Sequence, residues 1–341
     1  MKNTDLELPG FLPLLQLIPK NSDNRYFYEN GLSKLIPRLK LKVHSEIEDC
    51  FYLWDKFSPK KTVFDLWDFR YSWYEGYGYK PYFYTLYEGK KPLAILPLWF
   101  DSDKKRYEWF GSNWMEDNIF LTVDEHFIDL LFAVLPVPIH LNALQAQSVQ
   151  HNLFSHNLQK DDPKNIKDLS PFKSIDEFLQ SFDKKHRYNL RADFYQIQNL
   201  KPRIVDIETN NKNFIEKMID MNIEQFKSDN PEDESDLVVP KRAQTYRNIV
   251  KNSGIYKTKF IQVLIQNHLA GIDFIIEYKN IYYPVKGGND LHRFKGIGNF
   301  MIYYEFEDAI NSGYSMIDCL QVDYGWKHRF FDQKPLYLFE K

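Results

Sequence analysis

Residues 259–287 read KFIQVLIQNHLAGIDFIIEYKNIYYPVKG, and residues 81–111 read PYFYTLYEGKKPLAILPLWFDSDKKRYEWFG. Each stretch holds an aromatic and β-branched run, a polar turn, a second run, another polar turn and a third run ending in glycine. The turns are Glu88-Gly89-Lys90 and residues 101–105 in the earlier stretch, and Gln266-Asn267-His268 and residues 278–280 in the later one. Sequential strands joined by tight turns make an antiparallel meander. Its return about half a chain later predicts a duplicated α/β unit.

The flanking sequence supports the same reading. After Gly111 come a polar loop, a predicted helix over 124–135 and a strand over 139–147. After Gly288 come a polar loop, a helix over 299–311 and a strand over 316–322, with Gly313 at the left-handed position that ends a helix. Ahead of the second meander the pattern predicts a helix over 174–199, opened by a Ser174/Glu177 capping box. A strand over 203–207 and a helix over 211–228 follow. The expected units are residues 1–165 and 166–341.

The 341 residues suit two domains rather than one core. With 43% hydrophobic and 27% charged residues the chain belongs to the folded class. A net charge of -3 excludes a globally basic nucleic-acid binder, so no DNA partner is expected, and it leaves local basic patches open. Cys50 and Cys319 form no CxxC or Cys/His cluster, which disfavours a disulfide scaffold or structural zinc. The acidic run DNPEDESD over 229–236 lacks the ordered spacing of a calcium loop, so no metal is expected. The apolar runs over 93–100 and 130–141 are broken by Pro97 and by Pro136 with Pro138, short of the roughly 20 residues a bilayer needs. Asp5, Glu7 and Pro9 interrupt the place of a signal peptide, and the expected location is the cytoplasm.

The chemistry-bearing motif is Arg293-Phe294-Lys295-Gly296-Ile297-Gly298, between a strand over 281–285 and a helix beginning near Asn299. A glycine turn opening a helix bares backbone N–H groups that no carbonyl four residues back satisfies, and the helix dipole adds positive charge there. Such a turn suits a phosphate or diphosphate. Glycine at 296 and 298 removes the Cβ atoms that would hold a ligand away, and Arg293 and Lys295 add charge. Pro284 removes a ladder donor within its strand and marks a bulge or free edge. If strand 281–285 parts from strand 316–322, the wedge accepts an extended amide-bearing ligand that pairs with the free main chain. The pantetheine arm of coenzyme A is such a ligand.

Residues 293–298 match the Arg/Gln-x-x-Gly-x-Gly/Ala signature, and here the chain resembles the GCN5-related N-acyltransferases (GNAT). The wider layout resembles their duplicated members, the FemAB-like aminoacyltransferases and the BioF2-like acetyltransferase domain. The basic stretch Lys184-Lys185-His186-Arg187-Tyr188-Asn189-Leu190-Arg191 is similar to the helix that opens their second unit. Residues 309–318 resemble their A-x-x-x-G-x-x-x-x-D passage, and Tyr324-Gly325-Trp326-Lys327 resembles a G-x-x-Y-K segment with altered spacing. Coverage runs from about residue 50 to the end. The resemblance implies an α/β fold of two GNAT-like units in tandem, each a mostly antiparallel mixed sheet flanked by helices. Residues 111–118 hold no counterpart of the signature, so the first unit is expected to be degenerate, with an acceptor-binding or structural role.

The implied reaction is N-acyl transfer from an acyl-CoA, acetyl-CoA or longer, to an amine such as an amino sugar or amino acid. Arg293, Phe294, Lys295, Gly296, Ile297, Gly298 and Asn299 are the expected donor-binding residues. Asp323, at the end of the strand after the motif helix, is the first candidate base and His292 the second. Lys327 is implied to meet the donor carbonyl or a phosphate. Asp117 and Trp114 are candidates for holding the acceptor's ammonium. Arg187 and Arg191 share a helix face one turn apart, suited to RNA phosphates or to the diphosphate of a nucleotide-sugar acceptor. Two other readings stand: a FemAB-type transfer from aminoacyl-tRNA to a peptidoglycan precursor, and a non-catalytic binding protein on the same fold.

Overall fold

The structure is a computed structural model that describes residues 12–13, 34–111, 114–145, 158–229 and 234–341. The positions read above at Asp5, Glu7 and Pro9, in part of the acidic run, and at 112–113 and 146–147 lie outside these. The chain divides into two compact units, one of Met1–Tyr74, Gly78–Asp162 and Pro335–Lys341, the other of Glu75–Tyr77 and Pro163–Lys334. The C-terminal segment thus returns to the first unit, an exchange that a simple division at 165/166 does not contain.

In the first unit, β1 (Leu12–Pro13), β2 (Leu39–His44), β3 (Pro81–Glu88), β4 (Lys91–Asp101) and β5 (Arg106–Trp109) form an antiparallel sheet in that order. A short strand, β6 (Leu121–Thr122), also pairs with β4. Helices α1 (Ile47–Phe57), α2 (Trp67–Tyr77) and α3 (His126–Ala133) belong to this half of the chain. Leu86, Ala94, Leu96, Leu98 and Trp109 from the sheet close on Phe127, Leu130 and Leu131 of α3. Strands β7 (His140–Gln145) and β8 (Leu158–Lys160) flank the C-terminal strand Leu336–Glu340 in a separate sheet. That pairing is what returns the terminus to this unit.

The second unit holds β9 (Lys164–Asp168), α4 (Ile175–Gln180), α5 (Lys184–Gln198), β10 (Arg203–Glu208), α6 (Lys212–Asp229), α7 (Pro240–Lys251), β11 (Lys257–Ile265), β12 (His268–Tyr278), β13 (Ile281–Asn289), α8 (Ile297–Asn311), β14 (Met316–Asp318) and β15 (Asp332–Lys334). Its sheet runs β10-β11-β12-β13-β14-β9-β15, antiparallel except for the parallel β13–β14 step. Both faces of the meander are covered, which is why its strands are apolar on both sides. Phe260 and Phe274 stack at 5.0 Å, with Phe214 of α6 against Phe260. Ile261, Val263 and Ile275, of the opposite parity, pack with Phe300 and Phe306 of α8. These mostly antiparallel mixed sheets, flanked by helices, are the architecture expected from the sequence.

Two expected elements differ. The helix over 174–199 is two helices, because Asp183 caps a new one by accepting from the His186 amide at 2.9 Å. The Ser181 hydroxyl meanwhile donates to the Phe178 carbonyl at the end of α4. Ser174 caps α4 as expected, accepting from the Glu177 amide, but the Glu177 carboxylate reaches the Lys173 amide instead of closing the box. The strand over 316–322 stops at Asp318: Leu320 and Val322 have φ of 63° and 61°, which no strand accommodates. The Asp318 carboxylate accepts from the Leu320 amide and fixes that turn. No helix of the described residues is long and apolar enough to cross a membrane.

Candidate active site

Strand β13 carries the distortion that Pro284 foreshadows. Phe274 pairs with Lys286 and Ile275 with Pro284, so Val285 is the extra residue of a bulge. On its other side β13 meets β14 only at Ile281–Met316 and Tyr282–Ile317. Beyond Tyr282 the two strands part, and the main chain of β13 from Pro284 onward has no strand on that side. A cavity of about 680 Å³ fills the gap. Pro284, Val285, Lys286 and Gly287 line it from β13, Cys319 and Leu320 from the chain after β14, and Asn222, Gln225 and Phe226 from α6.

The glycine motif forms one end of this cavity. Gly296 has φ of 88°, a left-handed position glycine takes without strain, and serves as the N-cap of α8. Lys295, Gly296, Gly298 and Asn299 line the cavity. The amides of Gly298 and Asn299 donate to no carbonyl among the described residues and stay available to a ligand. Helix α5 lies across the motif: Gln196 donates to the Lys295 carbonyl, and Asp193 accepts from the Asn299 side-chain amide at 2.6 Å. A Cβ on Gly296 would come within 3.2 Å of the Asp193 Cβ. The seat is therefore bounded by a carboxylate yet open to the cavity.

The expected donor-binding residues divide by position. Phe294 and Ile297 are buried in the core, and Arg293 is exposed with its guanidinium over the Phe294 ring. Lys327 is buried in the cavity wall, where its ammonium donates to the carbonyls of Cys319 and Gln321 at 2.6 and 2.7 Å. It thereby holds the irregular chain after β14 with two of its three N–H groups.

The two expected bases lie elsewhere. Asp323 does not line the cavity; it accepts from the His328 amide and pairs with the His328 ring. Burial alone would raise its pKa, but the bonds from His328 prevail and hold it below the ordinary value. His292 sits exposed in the turn before the motif, also outside the lining. In the first unit, Trp114 is 41% exposed, and Asp117 is buried with Gln145 donating to its carboxylate. Asp117 adds to the charge around the buried Arg70, which donates to the Phe64 and Phe110 carbonyls and to Asn118. Arg191 pairs with Asp176 at 2.6 Å, while Lys184 and Lys185 are exposed.

Besides Asp193, Tyr324, Cys319, Lys286, Lys295 and Lys327, the cavity is lined by two neighbouring acidic residues, Asp273 of β12 and Glu305 of α8. Their carboxyls hydrogen-bond each other. Burial raises Asp273 to about 7. Burial, then repulsion by Asp273, raises Glu305 well above the ordinary range. Two carboxyls held this close in a buried wall share a proton toward neutrality, which suits acid–base work. Gly287 makes the approach possible, since a Cβ there would lie 1.8 Å from the Asp273 carboxylate. The sequence signal was a single carboxylate inside the apolar run Ala270-Gly271-Ile272-Asp273-Phe274-Ile275-Ile276. Asn289 also lines the cavity and has a buried side-chain oxygen with no hydrogen-bond partner. Among the described residues no group of His, Cys, Asp and Glu is placed to hold a metal ion.

No family model and no curated protein matches the chain. Solved structures do. FemX superposes with a TM-score of 0.54 at 11% identity, covering 88% of this chain and 95% of that one. The C-terminal domain of a putative lysylphosphatidylglycerol synthetase from Agrobacterium fabrum gives 0.54 at 10%, covering 86% and 91%. A tandem GNAT protein from the clavulanic acid biosynthesis pathway gives 0.51 at 8%, covering 89% and 98%. At such identities the likeness is one of fold, and this chain has the tandem GNAT-like fold of these structures.

Proposed function

We propose that the protein is an N-acyltransferase that moves an acyl group from a thioester of the coenzyme A type to an amine. The observation that carries this reading is the parted edge of β13, open along one cavity from the glycine turn to the Asp273–Glu305 pair. The diphosphate would take the amides of Gly298 and Asn299 with Lys295 beside it. The pantetheine arm would run along the parted edge of β13 near Pro284 and Val285, short of Gly287 and Asn289, which Asn222 and Gln225 of α6 already hold. The reacting carbonyl then lies near the bulge, where a main-chain N–H can stabilise the oxyanion.

Asp273 takes the proton from the attacking amine. The C–N bond forms, the C–S bond breaks, and the thiolate leaves with a proton returned from the carboxyl pair. An amino sugar or amino acid is the acceptor class this chemistry admits. A second reading, transfer from an aminoacyl-tRNA, is favoured by the exposed Lys184 and Lys185 on α5. Titration with acetyl-CoA and longer acyl-CoAs, followed by product assay on a panel of amines, separates the two. Saturable thioester binding with turnover supports the first. Binding of aminoacylated tRNA with no thioester binding would transfer the assignment to the second.

A further inference from the structure

Next to the main cavity is a smaller one of about 280 Å³ that shares Asp193 and Asn299 with it. Its other walls include His186, Asn189, Arg329 and Phe330. Phe330 is buried, and the His186 ring packs on it with centroids 4.9 Å apart. Burial, with the Arg329 charge adding to it, holds the imidazole below its ordinary pKa, so this wall is a pair of uncharged rings at neutral pH. Asn189 and Arg329 are exposed, and neither side chain has a partner among the described residues. An asparagine amide matches the donor–acceptor edge of adenine, and a guanidinium matches a phosphate.

Asp193 is the anomaly of the motif, a carboxylate at a turn suited to phosphate. A carboxylate accepts only, so it serves a hydroxyl and not a phosphate oxygen. One oxygen takes the Asn299 amide, and the group retains acceptor capacity at the junction of the two cavities.

We propose that the smaller cavity seats the adenosine 3′-phosphate end of a coenzyme A donor. The base lies against the Phe330–His186 wall with its edge on Asn189, the ribose 2′-hydroxyl donates to Asp193, and the 3′-phosphate meets Arg329. This rests on the thioester reading and names the donor's far end. An acyl group carried directly on the ribose, as at an aminoacylated RNA end, does not suit the seat. From Asn299 to Glu305 the helix rises about 9 Å, a gap that a pantetheine arm spans and a sugar ester does not.

The test is equilibrium binding of coenzyme A, dephospho-coenzyme A and 4′-phosphopantetheine to the full chain and to its Arg329→Ala and Asp193→Asn variants. Coenzyme A should bind most tightly, and loss of its 3′-phosphate should cost about tenfold. Arg329→Ala should impose that same loss on coenzyme A and none on dephospho-coenzyme A. Asp193→Asn should weaken both nucleotides relative to phosphopantetheine, and Arg329→Ala should not alter phosphopantetheine binding. Coenzyme A binding no tighter than phosphopantetheine overturns the adenosine seat and leaves the thioester reading standing. No binding of any of the three overturns both. An equal loss for all three ligands in Arg329→Ala overturns the seat as well. So does tighter binding of a 3′-aminoacyl-adenosine than of coenzyme A.

Discussion

Asp273 and Glu305 hydrogen-bond carboxyl to carboxyl in the wall of the cavity, one from the strand beside the bulge and one from the helix the glycine motif opens. Asp273 is raised from 3.8 to about 7 by burial. Its ionised form is the base, so kcat/KM should rise with pH through about 7. Asp273→Asn should remove that limb and lower kcat by about 100- to 10,000-fold. A rate profile unchanged by the substitution would show that the base is another group.

The same pair sets a stability slope. Because both folded-state values lie above the ordinary carboxylate range, the native state holds more protons than the unfolded chain across the interval between them. The pair's contribution to stability is full below about pH 4 and is lost as pH rises through about 7. Denaturant unfolding of Asp273→Asn should show a shallower loss over that window. A variant that parallels the wild type throughout would mean that the pair ionises freely.

The two motif glycines should separate binding from folding. A Cβ on Gly298 meets only Leu291 at 3.7 Å, so Gly298→Val fills the seat without straining the chain. Donor affinity should fall at least about tenfold while stability moves within about 1 kcal/mol. Gly296 has φ of 88° and Asp193 against it, so Gly296→Val should cost about 1–2 kcal/mol of stability. Equal melting losses in the two variants would contradict this division.

Local pattern revealed the meanders, the motif and the bulge at Pro284, because strand alternation, glycine turns and a missing donor are properties of adjacent residues. The site's acid–base pair was not legible in the same way. Asp273 and Glu305 are separated by a strand, a turn and half a helix, and meet only because β12 and α8 share a face. Asp323 was attractive from its place after β14, but Leu320 and Val322 turn the chain and leave Asp323 with His328. The split between α4 and α5 was written in Asp183, a capping residue inside a stretch whose periodicity otherwise reads as one helix.

Lys327 ties down that turning chain. Lys327→Met would remove both ammonium bonds that hold the carbonyls of Cys319 and Gln321 in a buried wall, a loss of about 1–3 kcal/mol. Thermal unfolding should register it with donor affinity changed less than threefold. A variant of wild-type stability with donor binding abolished would mean that the ammonium meets the ligand directly.

Asp323 provides the contrast with Asp273. Its carboxylate is held below its ordinary value by His328 and lies outside the cavity lining, so at neutral pH it is ionised and already engaged. Asp323→Asn keeps an acceptor for the His328 amide and removes only the charge. Turnover should stay within about twofold of wild type between pH 6 and 9, since no proton of the reaction passes through a group that titrates below that range. The variant should be less stable than the wild type above the ordinary carboxylate pKa and match it in acid, because the His328 pair contributes above that pKa and is lost as pH drops through the lowered one. A rate loss comparable to that of Asp273→Asn, with the neutral limb of the profile displaced, would return the base to Asp323 and leave the buried pair a structural one.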